Sequence, residues 1–358
     1  MGSRRAGPRL RRRRLSQGPD PGREGLHHGL PSPRQRDCPG RVGRDGGTRM
    51  TPGTGAGAGL RIAFVVATKD RPGELGRLWS SLLAQSLVPD EVVVVDAGAR
   101  TPSLSTGSDR ARPVLRMISS SVASASRQRN TGLDAVGPDA SLVGFLDDDA
   151  VLEPDAVEEM LRFWAMAGAD VAGAAFNMAN HPPLDWPFLK RLPLVERLGL
   201  YSGRGGAVTS SGFQTMIGPV DATAWTDWLP SGASVWRRDV FSRFRFDEWF
   251  AGYSYLEDLD FSYRVGKTAR LAVVAPARYR HLPAAGGRGT GCAFGVREVL
   301  NRTHFVRKHA ELSLAGCRAA LGLRLLMSLA FAVRGQKASY AARAFGNAVG
   351  LVRSMMGE

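Results

Sequence analysis

Residues 60–176 alternate short apolar runs with segments of helical periodicity. The runs 61–67, 92–95 and 142–146 are almost continuously apolar, and leucines recur at helical spacing across 75–83. Strands that are apolar along their whole length are buried on both faces of a sheet. Strands that alternate with helices in this way form a mostly parallel sheet with helices on both faces. The sequence therefore predicts an α/β fold of this kind.

Acidic residues follow the apolar runs at the points where the strands should end. Asp70 comes after the first run, Asp96 after the second and the triplet Asp147-Asp148-Asp149 after the third. Parallel sheets of this class bind ligands at the carboxyl ends of their strands. We therefore expect these side chains to gather at one edge of the sheet.

The triplet Asp147–Asp149 is the strongest single signal in the chain. Adjacent carboxylates in apolar surroundings raise one another's pKa, so that a positive charge is needed nearby. A hard divalent cation such as Mn²⁺ or Mg²⁺ takes oxygen ligands and could bridge diphosphate oxygens. The alternative interpretation is a solvated acidic turn that caps the helix beginning near Pro154.

A second acidic cluster, Glu257-Asp258 with Asp260, lies among aromatic and apolar neighbours. A carboxylate shielded in this way could have a raised pKa and act as a general base. Alternatively, these acids favour the positive end of a helix dipole, and Asp260 with Arg264 forms an ordinary i,i+4 ion pair. His281 follows a further strand and is a candidate metal ligand, although a lone histidine is more often structural.

The segment Ser126–Gly132 opens a helix with cations and small residues, among them Arg127 and Asn130. Helix N-termini attract phosphate, so this segment is a candidate phosphate-binding site. The alternative is that its arginines are surface charge.

The basic charge of the chain is concentrated at its N-terminus. The net charge is +15, and residues 1–49 alone hold 13 Arg against four acidic residues. We expect residues 1–58 to be disordered, because they cannot bury enough apolar surface to offset chain entropy. They could bind phosphate or anionic lipid, or translation could begin near Met50. Nucleic-acid binding is not expected, because aromatic residues are absent there.

Three scattered cysteines indicate a reducing compartment and no zinc site.

The C-terminal residues 312–356 are rich in Leu, Ala and Met with interspersed arginines. Basic amphipathic helices of this composition can lie in a membrane interface. No apolar run reaches the length of a membrane-spanning helix, so a soluble or peripheral protein is expected. The alternative is a helical pair that packs on the domain or forms a dimer, and the sequence leaves the oligomeric state open.

Taken together, these motifs resemble family 2 of the inverting glycosyltransferases, which have the Rossmann-like GT-A fold. The resemblance covers about residues 60–310. The matching segments occur in the family's order: Thr68-Lys69-Asp70-Arg71-Pro72, Leu82-Leu83-Ala84-Gln85-Ser86, Val93-Val94-Val95-Asp96, Arg127–Gly132, Phe145–Asp149, and Glu257-Asp258-Leu259-Asp260 with Arg264.

The resemblance implies a role for each of these positions. Asp149 and His281 would bind the metal, and Asp258 would be the catalytic base with Glu257 beside it. The remaining roles fall on two groups of residues, a donor-binding group and an acceptor-binding group. The first contains Thr68, Asp70, Arg71, Asp96, Arg127, Asn130, Asp147 and Asp148, and the second contains Trp228, Gly232, Asp260 and Arg264.

The same resemblance implies a reaction and a domain organisation. A sugar would move from a nucleotide-sugar donor to a hydroxyl on a glycan or lipid-linked acceptor, in cell-envelope polysaccharide or glycolipid synthesis. The location would be cytoplasmic, at the inner face of the cell membrane. Residues 59–176 would bind the donor, 177–310 would bind the acceptor and hold the base, and 311–358 would form a helical extension.

Two other functions fit parts of the pattern. A nucleotidyltransferase also combines an α/β sheet with metal-binding acids, but it usually has a Gly-rich basic loop where this chain has Thr68–Arg71. A non-catalytic sugar-nucleotide-binding or membrane scaffold would be expected to lack one acidic cluster, whereas both are present.

Overall fold

The computed structural model describes residues 59–99, 103–104, 113–181, 192–252, 254–283, 291–334 and 338–357. These residues all belong to one compact unit, 53–358. The leader expected to be disordered, 1–58, lies outside the described residues.

Within the described residues, nine strands form a single sheet. Their bounds are β1 Ile62–Thr68, β2 Glu91–Asp96, β3 Val114–Ser119, β4 Leu142–Asp147, β5 Ala150–Leu152, β6 Val171–Met178, β7 Ala224–Thr226, β8 Ala233–Arg237 and β9 Arg270–His281. The strand order is β3-β2-β1-β4-β8-β6-β9-β5, and β7 pairs with β9.

The sheet is mixed in strand direction. Strands β1 to β4 are parallel to one another, and β6 and β9 are parallel to each other. Strand β8 lies between β4 and β6 and is antiparallel to both, so β4 and β6 point the same way. Strands β5 and β7 also run antiparallel, each against β9. Six strands thus share one direction, which is the mostly parallel arrangement that the sequence predicts.

Helices cover both faces of the sheet. Helices α1 (Pro72–Leu83) and α3 (Ala156–Met166) share one apolar core with it. Helices α2 (Ala125–Ala135) and α5 (Glu257–Gly266) share the core on the opposite face. The predicted α/β fold class is confirmed.

A third core lies between α5, the irregular segment 192–228 and the C-terminal helices. It includes the short helix α4 (Pro193–Arg197), α6 (Gly291–Lys308) and α7 (Leu314–Val333). The last helix, α8 (Ala338–Met355), packs along α6 and α7. The predicted C-terminal helical extension is therefore present.

Helix α7 bears on one expectation from the sequence. Among the described residues it is the one helix long and apolar enough, by length and composition alone, to cross a membrane. The sequence has no uninterrupted apolar run of this length, and α7 meets the criterion because the two arginines inside it leave its average hydropathy high.

Strands from both predicted halves of the chain join the same sheet. Strands β8 and β9 come from 177–310, and they pair with β4 and β6 from 59–176. The division into a donor-binding and an acceptor-binding half stays a prediction.

Candidate active site

The register of the parallel strands brings the predicted donor-binding residues to one edge. Thr68 lies opposite Asp96 in the β1–β2 pair, and Asp147 lies opposite Ala67 in the β1–β4 pair. Asp96 is buried and accepts the backbone N–H of Gly98 at 2.8 Å. A Cβ on Gly98 would lie 2.9 Å from the backbone nitrogen of Asp70 and 3.0 Å from the Asp96 carboxylate. The loop after β2 therefore depends on glycine to keep Asp70 and Asp96 close together.

Asp148 points into the protein. The Thr68 hydroxyl donates to one of its oxygens at 2.7 Å, and the Arg71 guanidinium donates to the other at 3.1 Å. Burial raises the pKa of Asp148 to about 6, and the bonds from Thr68 and Arg71 only partly oppose this. Because these three predicted donor-binding residues bind one another, they fix the acidic turn after β4.

Asp147 and Asp149 converge with His281 in a way that fits a metal ion. One ligand atom from each lies within 4.8 Å of the others. The antiparallel pairing of β5 with β9 places Ala150 opposite His281, and the His281 Nε2 is 3.0 Å from an Asp149 oxygen. Mn²⁺ binds carboxylate and imidazole ligands, and Mg²⁺ also binds carboxylates.

The second acidic cluster occupies the first turn of α5. The residues before it, Ser254 and Leu256, have positive φ angles of 50° and 76°. For side chains other than glycine this backbone is uncommon and strained, and such strain collects at functional sites. The Ser254 hydroxyl accepts the backbone N–H of Ser126 on α2 at 3.3 Å. This bond ties the start of α5 to the start of α2.

The two carboxyl groups of the cluster have different surroundings. Asp258 is half-buried, and one of its oxygens accepts the Leu259 backbone N–H at 2.8 Å. Burial raises its pKa. Glu257 is buried, and burial together with the neighbouring Asp258 raises its pKa to about 8, against the lowering effect of Arg129.

Arg129 joins the two acidic clusters. Its Nη1 donates to Glu257 at 2.6 Å, and its Nη2 donates to Asp147 at 2.9 Å. The guanidinium is buried and lies over the Phe246 ring, 5.5 Å from the centroid. Residues 110 positions apart in the chain therefore meet on one cation, and the candidate metal ligands lie beside the acidic start of α5.

The predicted donor-binding residues of α2 lie on other faces of the helix than the arginine that reaches the acidic triplet, and their donor-binding role stays a prediction. Arg127 is exposed, and Asn130 binds the loop before α5 through Phe246, whose carbonyl accepts at 2.9 Å. Neither contacts the acidic triplet in any bond of the described residues, whereas Arg129 does. Helical periodicity is the signal that could have found it, because Arg129 shares the buried face with Ser126 and Gly132.

The predicted acceptor-binding residues separate into two kinds. Gly232 lies at the site: its carbonyl accepts the Asp147 N–H at 2.9 Å, and a Cβ there would be 2.7 Å from an Asp147 carboxylate oxygen. Trp228 is buried in the third core, and its indole N–H donates to the Thr215 carbonyl at 3.0 Å. The expectation that its side chain contacts an acceptor is corrected, since its ring is fully enclosed.

Asp260 and Arg264 form an ion pair on α5. Asp260 is fully buried and is bonded to Arg264 at 3.0 Å, with the Lys308 ammonium 2.8 Å away. Burial acts against ionisation, but His309, Arg264 and Lys308 lower the Asp260 pKa to about 2. The predicted acceptor contact is corrected for Asp260, which is fully enclosed and anchors α5 to α6 through Lys308, and it stays a prediction for Arg264.

Known proteins resemble the chain across the first part of this site. Residues 63–218 match the profile described as Glycosyl transferase family 2. Succinoglycan biosynthesis protein ExoW from Rhizobium meliloti (strain 1021) is 34% identical over 122 residues, which are 30% of this chain and 38% of that protein. The chain thus spans well under half the length of this relative.

Solved structures align over more of the chain at lower identity. S. aureus TarS has 14% identity and a TM-score of 0.45, covering 73% of this chain and 42% of its own. The mannosyltransferase PcManGT from Pyrobaculum calidifontis, in complex with GDP-Man and Mn²⁺, has 14% identity and a TM-score of 0.45, covering 83% of this chain and 86% of its own.

Proposed function

We propose a reaction from the premise that this chain belongs to glycosyl transferase family 2. The chain moves a sugar from a nucleoside-diphosphate donor to a hydroxyl acceptor, with inversion at the anomeric carbon. The observation that carries this proposal is the double contact of Arg129 with Asp147 and Glu257. It supports a single cleft with a metal-binding side and a base-bearing side.

Asp147, Asp149 and His281 would hold the metal. Their donor set fits Mn²⁺ or Mg²⁺, and a bound ion would supply positive charge against the leaving diphosphate. PcManGT was solved with Mn²⁺, which is the ion to test first. Asp147 takes part in this set in addition to the donor-binding role that the sequence suggests.

Asp258 is the base in this proposal. Glu257 is occupied by Arg129, whereas Asp258 is half-buried at the same end of α5. Its raised pKa makes it a stronger proton acceptor than an ordinary aspartate. Asp258 takes the proton of the acceptor hydroxyl, and the oxygen forms a bond to the anomeric carbon. The bond from that carbon to the diphosphate oxygen breaks on the opposite face, so one displacement inverts the configuration.

The donor, the acceptor and the location are proposed from the same premise. Asp70 and Asp96, at the ends of β1 and β2, are placed to bind the nucleoside. The acceptor is a glycan or a lipid-linked hydroxyl in cell-envelope polysaccharide or glycolipid synthesis. The chain works in the cytoplasm at the inner face of the membrane, with 312–356 as a peripheral membrane contact.

Two experiments test the proposal. UDP-, GDP- and dTDP-sugars are screened for hydrolysis with Mn²⁺ and with EDTA, and EDTA should abolish the activity. Asp258→Asn should lower transfer at least about a hundredfold, the usual effect of losing a general base. Asp134→Asn is the matched control, since Asp134 is an exposed α2 residue whose carboxylate pairs only with Arg245 among the described residues. Near-normal transfer by a folded Asp258→Asn protein would refute the base, and activity unaffected by EDTA would refute the metal.

A further inference from the structure

The outward faces of α7 and α8 carry exposed apolar side chains at helical spacing. We name this surface the apolar stripe, and it consists of Leu326, Leu329 and Val333 on α7 with Phe345, Val352 and Met355 on α8. Val333 is 88% exposed and Phe345 is 65% exposed. Spacings of three, four and seven residues place each set on one side of its helix. Large apolar side chains exposed in groups on neighbouring helices mark an interaction site.

The opposite side of α7 is bound to the rest of the protein. Cys317, Ala320 and Leu321 are fully buried. The Tyr201 hydroxyl donates to the Ala320 carbonyl at 3.0 Å, and the Arg324 guanidinium is 3.3 Å from the buried Glu298 carboxylate. Only 28% of the most apolar stretch of α7 is buried. A helix held in this way, with one side against the domain and α8 packed along it, lies on the protein surface, which does not suit a membrane-spanning position.

The charge of the two helices favours one kind of partner. Neither Leu314–Val333 nor Ala338–Met355 contains an acidic residue, and both contain arginines, of which Arg324 and Arg343 pair with the buried Glu298 of α6. Arg334 directly follows the stripe residue Val333 and is exposed, and Arg318 is exposed in the first half of α7. A second copy of the chain would bring two cationic surfaces together. Anionic lipid headgroups complement the arginines, while the acyl chains accept the apolar side chains.

We propose that the apolar stripe seats α7 and α8 in the interface of an anionic membrane, with both helix axes parallel to the membrane plane. This deepens the membrane contact of the proposed function by assigning its residues and its orientation. The proposal excludes a membrane-spanning α7, because insertion would break the contacts of Tyr201 with Ala320 and of Glu298 with Arg324.

Vesicle flotation of the full chain tests the proposal. Phosphatidylcholine vesicles are compared with vesicles containing phosphatidylglycerol, at low and at high salt. The variant Leu329→Ser/Phe345→Ser should lower binding to anionic vesicles by about tenfold or more, because two large apolar side chains no longer leave water. Met166→Ser/Leu194→Ser is the matched control, since these side chains are 71% and 64% exposed elsewhere on the surface. It should bind as the unmodified chain does.

High salt distinguishes vesicle binding through the apolar stripe from vesicle binding through the Arg-rich residues 1–49. Binding through those arginines would be screened by salt and unchanged in the stripe variant, and that result would overturn the proposal. Equal binding by both double variants would also overturn it. So would a dimer in solution that the stripe variant dissociates without any vesicle binding. Val333→Ser/Val352→Ser is a second stripe variant in case the first does not fold.

The same assay separates this inference from the proposed reaction. Asp258→Asn should float with vesicles as the unmodified chain does, whatever its activity. Loss of transfer with intact vesicle binding concerns the reaction, whereas intact donor hydrolysis without vesicle binding rejects only the membrane contact.

Discussion

Replacing Arg129 by methionine tests the cation that joins the two acidic clusters. Methionine keeps most of the length of the side chain and removes its charge. The broken contact with Glu257 should account for most of the lost stability, since the Arg129 and Glu257 side chains are only 6% and 10% exposed. Removing one partner of a buried ion pair costs about 3–5 kcal/mol. The Asp147 side chain is 42% exposed, so its ion pair contributes at most about 1 kcal/mol.

The stability lost in Arg129→Met should depend on pH, because Glu257 changes its protonation state with pH. Its pKa is raised by burial to about 8, so below that pH the folded protein holds a protonated Glu257. A raised carboxyl pKa contributes stability that is complete below the unfolded value of 4.5 and is lost as the pH rises through about 8. Arg129→Met removes the favourable interaction between Arg129 and Glu257, and it raises the pKa of Glu257 further. The penalty should therefore be about 2 kcal/mol at acidic pH, where a hydrogen bond is lost, and should approach about 4 kcal/mol at alkaline pH.

Urea unfolding below and above pH 8 measures both values. Arg127→Met is the matched control, because Arg127 is an exposed cation on the same helix, and its effect should stay within about 0.5 kcal/mol at either pH. Arg129→Lys should recover only part of the stability, because an ammonium cannot bind two carboxylates as a planar guanidinium does. If Arg129→Met matched the Arg127→Met control, or if its penalty were the same at both pH values, the reasoning would be refuted.

Three further predictions follow from single contacts. Gly232→Ala should weaken Mn²⁺ binding by about tenfold, because the new Cβ displaces the Asp147 carboxylate; calorimetric titration measures it, with Gly76→Ala, where nothing lies within 4 Å, as the control. His281→Ala should weaken Mn²⁺ binding by at least about tenfold in the same titration, and unchanged affinity would remove His281 from the ligand set. Glu298→Gln should lower the free energy of unfolding by about 3 kcal/mol at neutral pH. Burial opposes the Glu298 charge, but its arginine partners lower the pKa from 4.5 to about 2, so in pH-dependent urea unfolding this difference should shrink as the pH falls through that range; a constant difference would contradict the assignment.

The sequence determined the α/β class and the edge at which the site lies. Apolar runs such as 61–67 and the leucines across 75–83 are local patterns, and each fixes its own strand or helix. Because parallel strands end at the same edge, the positions of Asp70, Asp96 and Asp147 along the chain were enough to predict where they gather. His281 was expected on the side where the acids gather; it is the last residue of β9, and its Nε2 lies 3.0 Å from an Asp149 oxygen.

Only the tertiary structure decided which side chains meet. Strand β8 enters between β4 and β6 with the opposite direction, and no local pattern encodes a strand's neighbours. Arg127 and Arg129 are equally cationic in sequence, but the packing of α2 on the sheet exposes one and buries the other between Asp147 and Glu257. Local periodicity sets the secondary structure, whereas long-range packing sets burial. It is burial that turns a carboxylate or a guanidinium into part of a site, because charges interact strongly only where water is excluded.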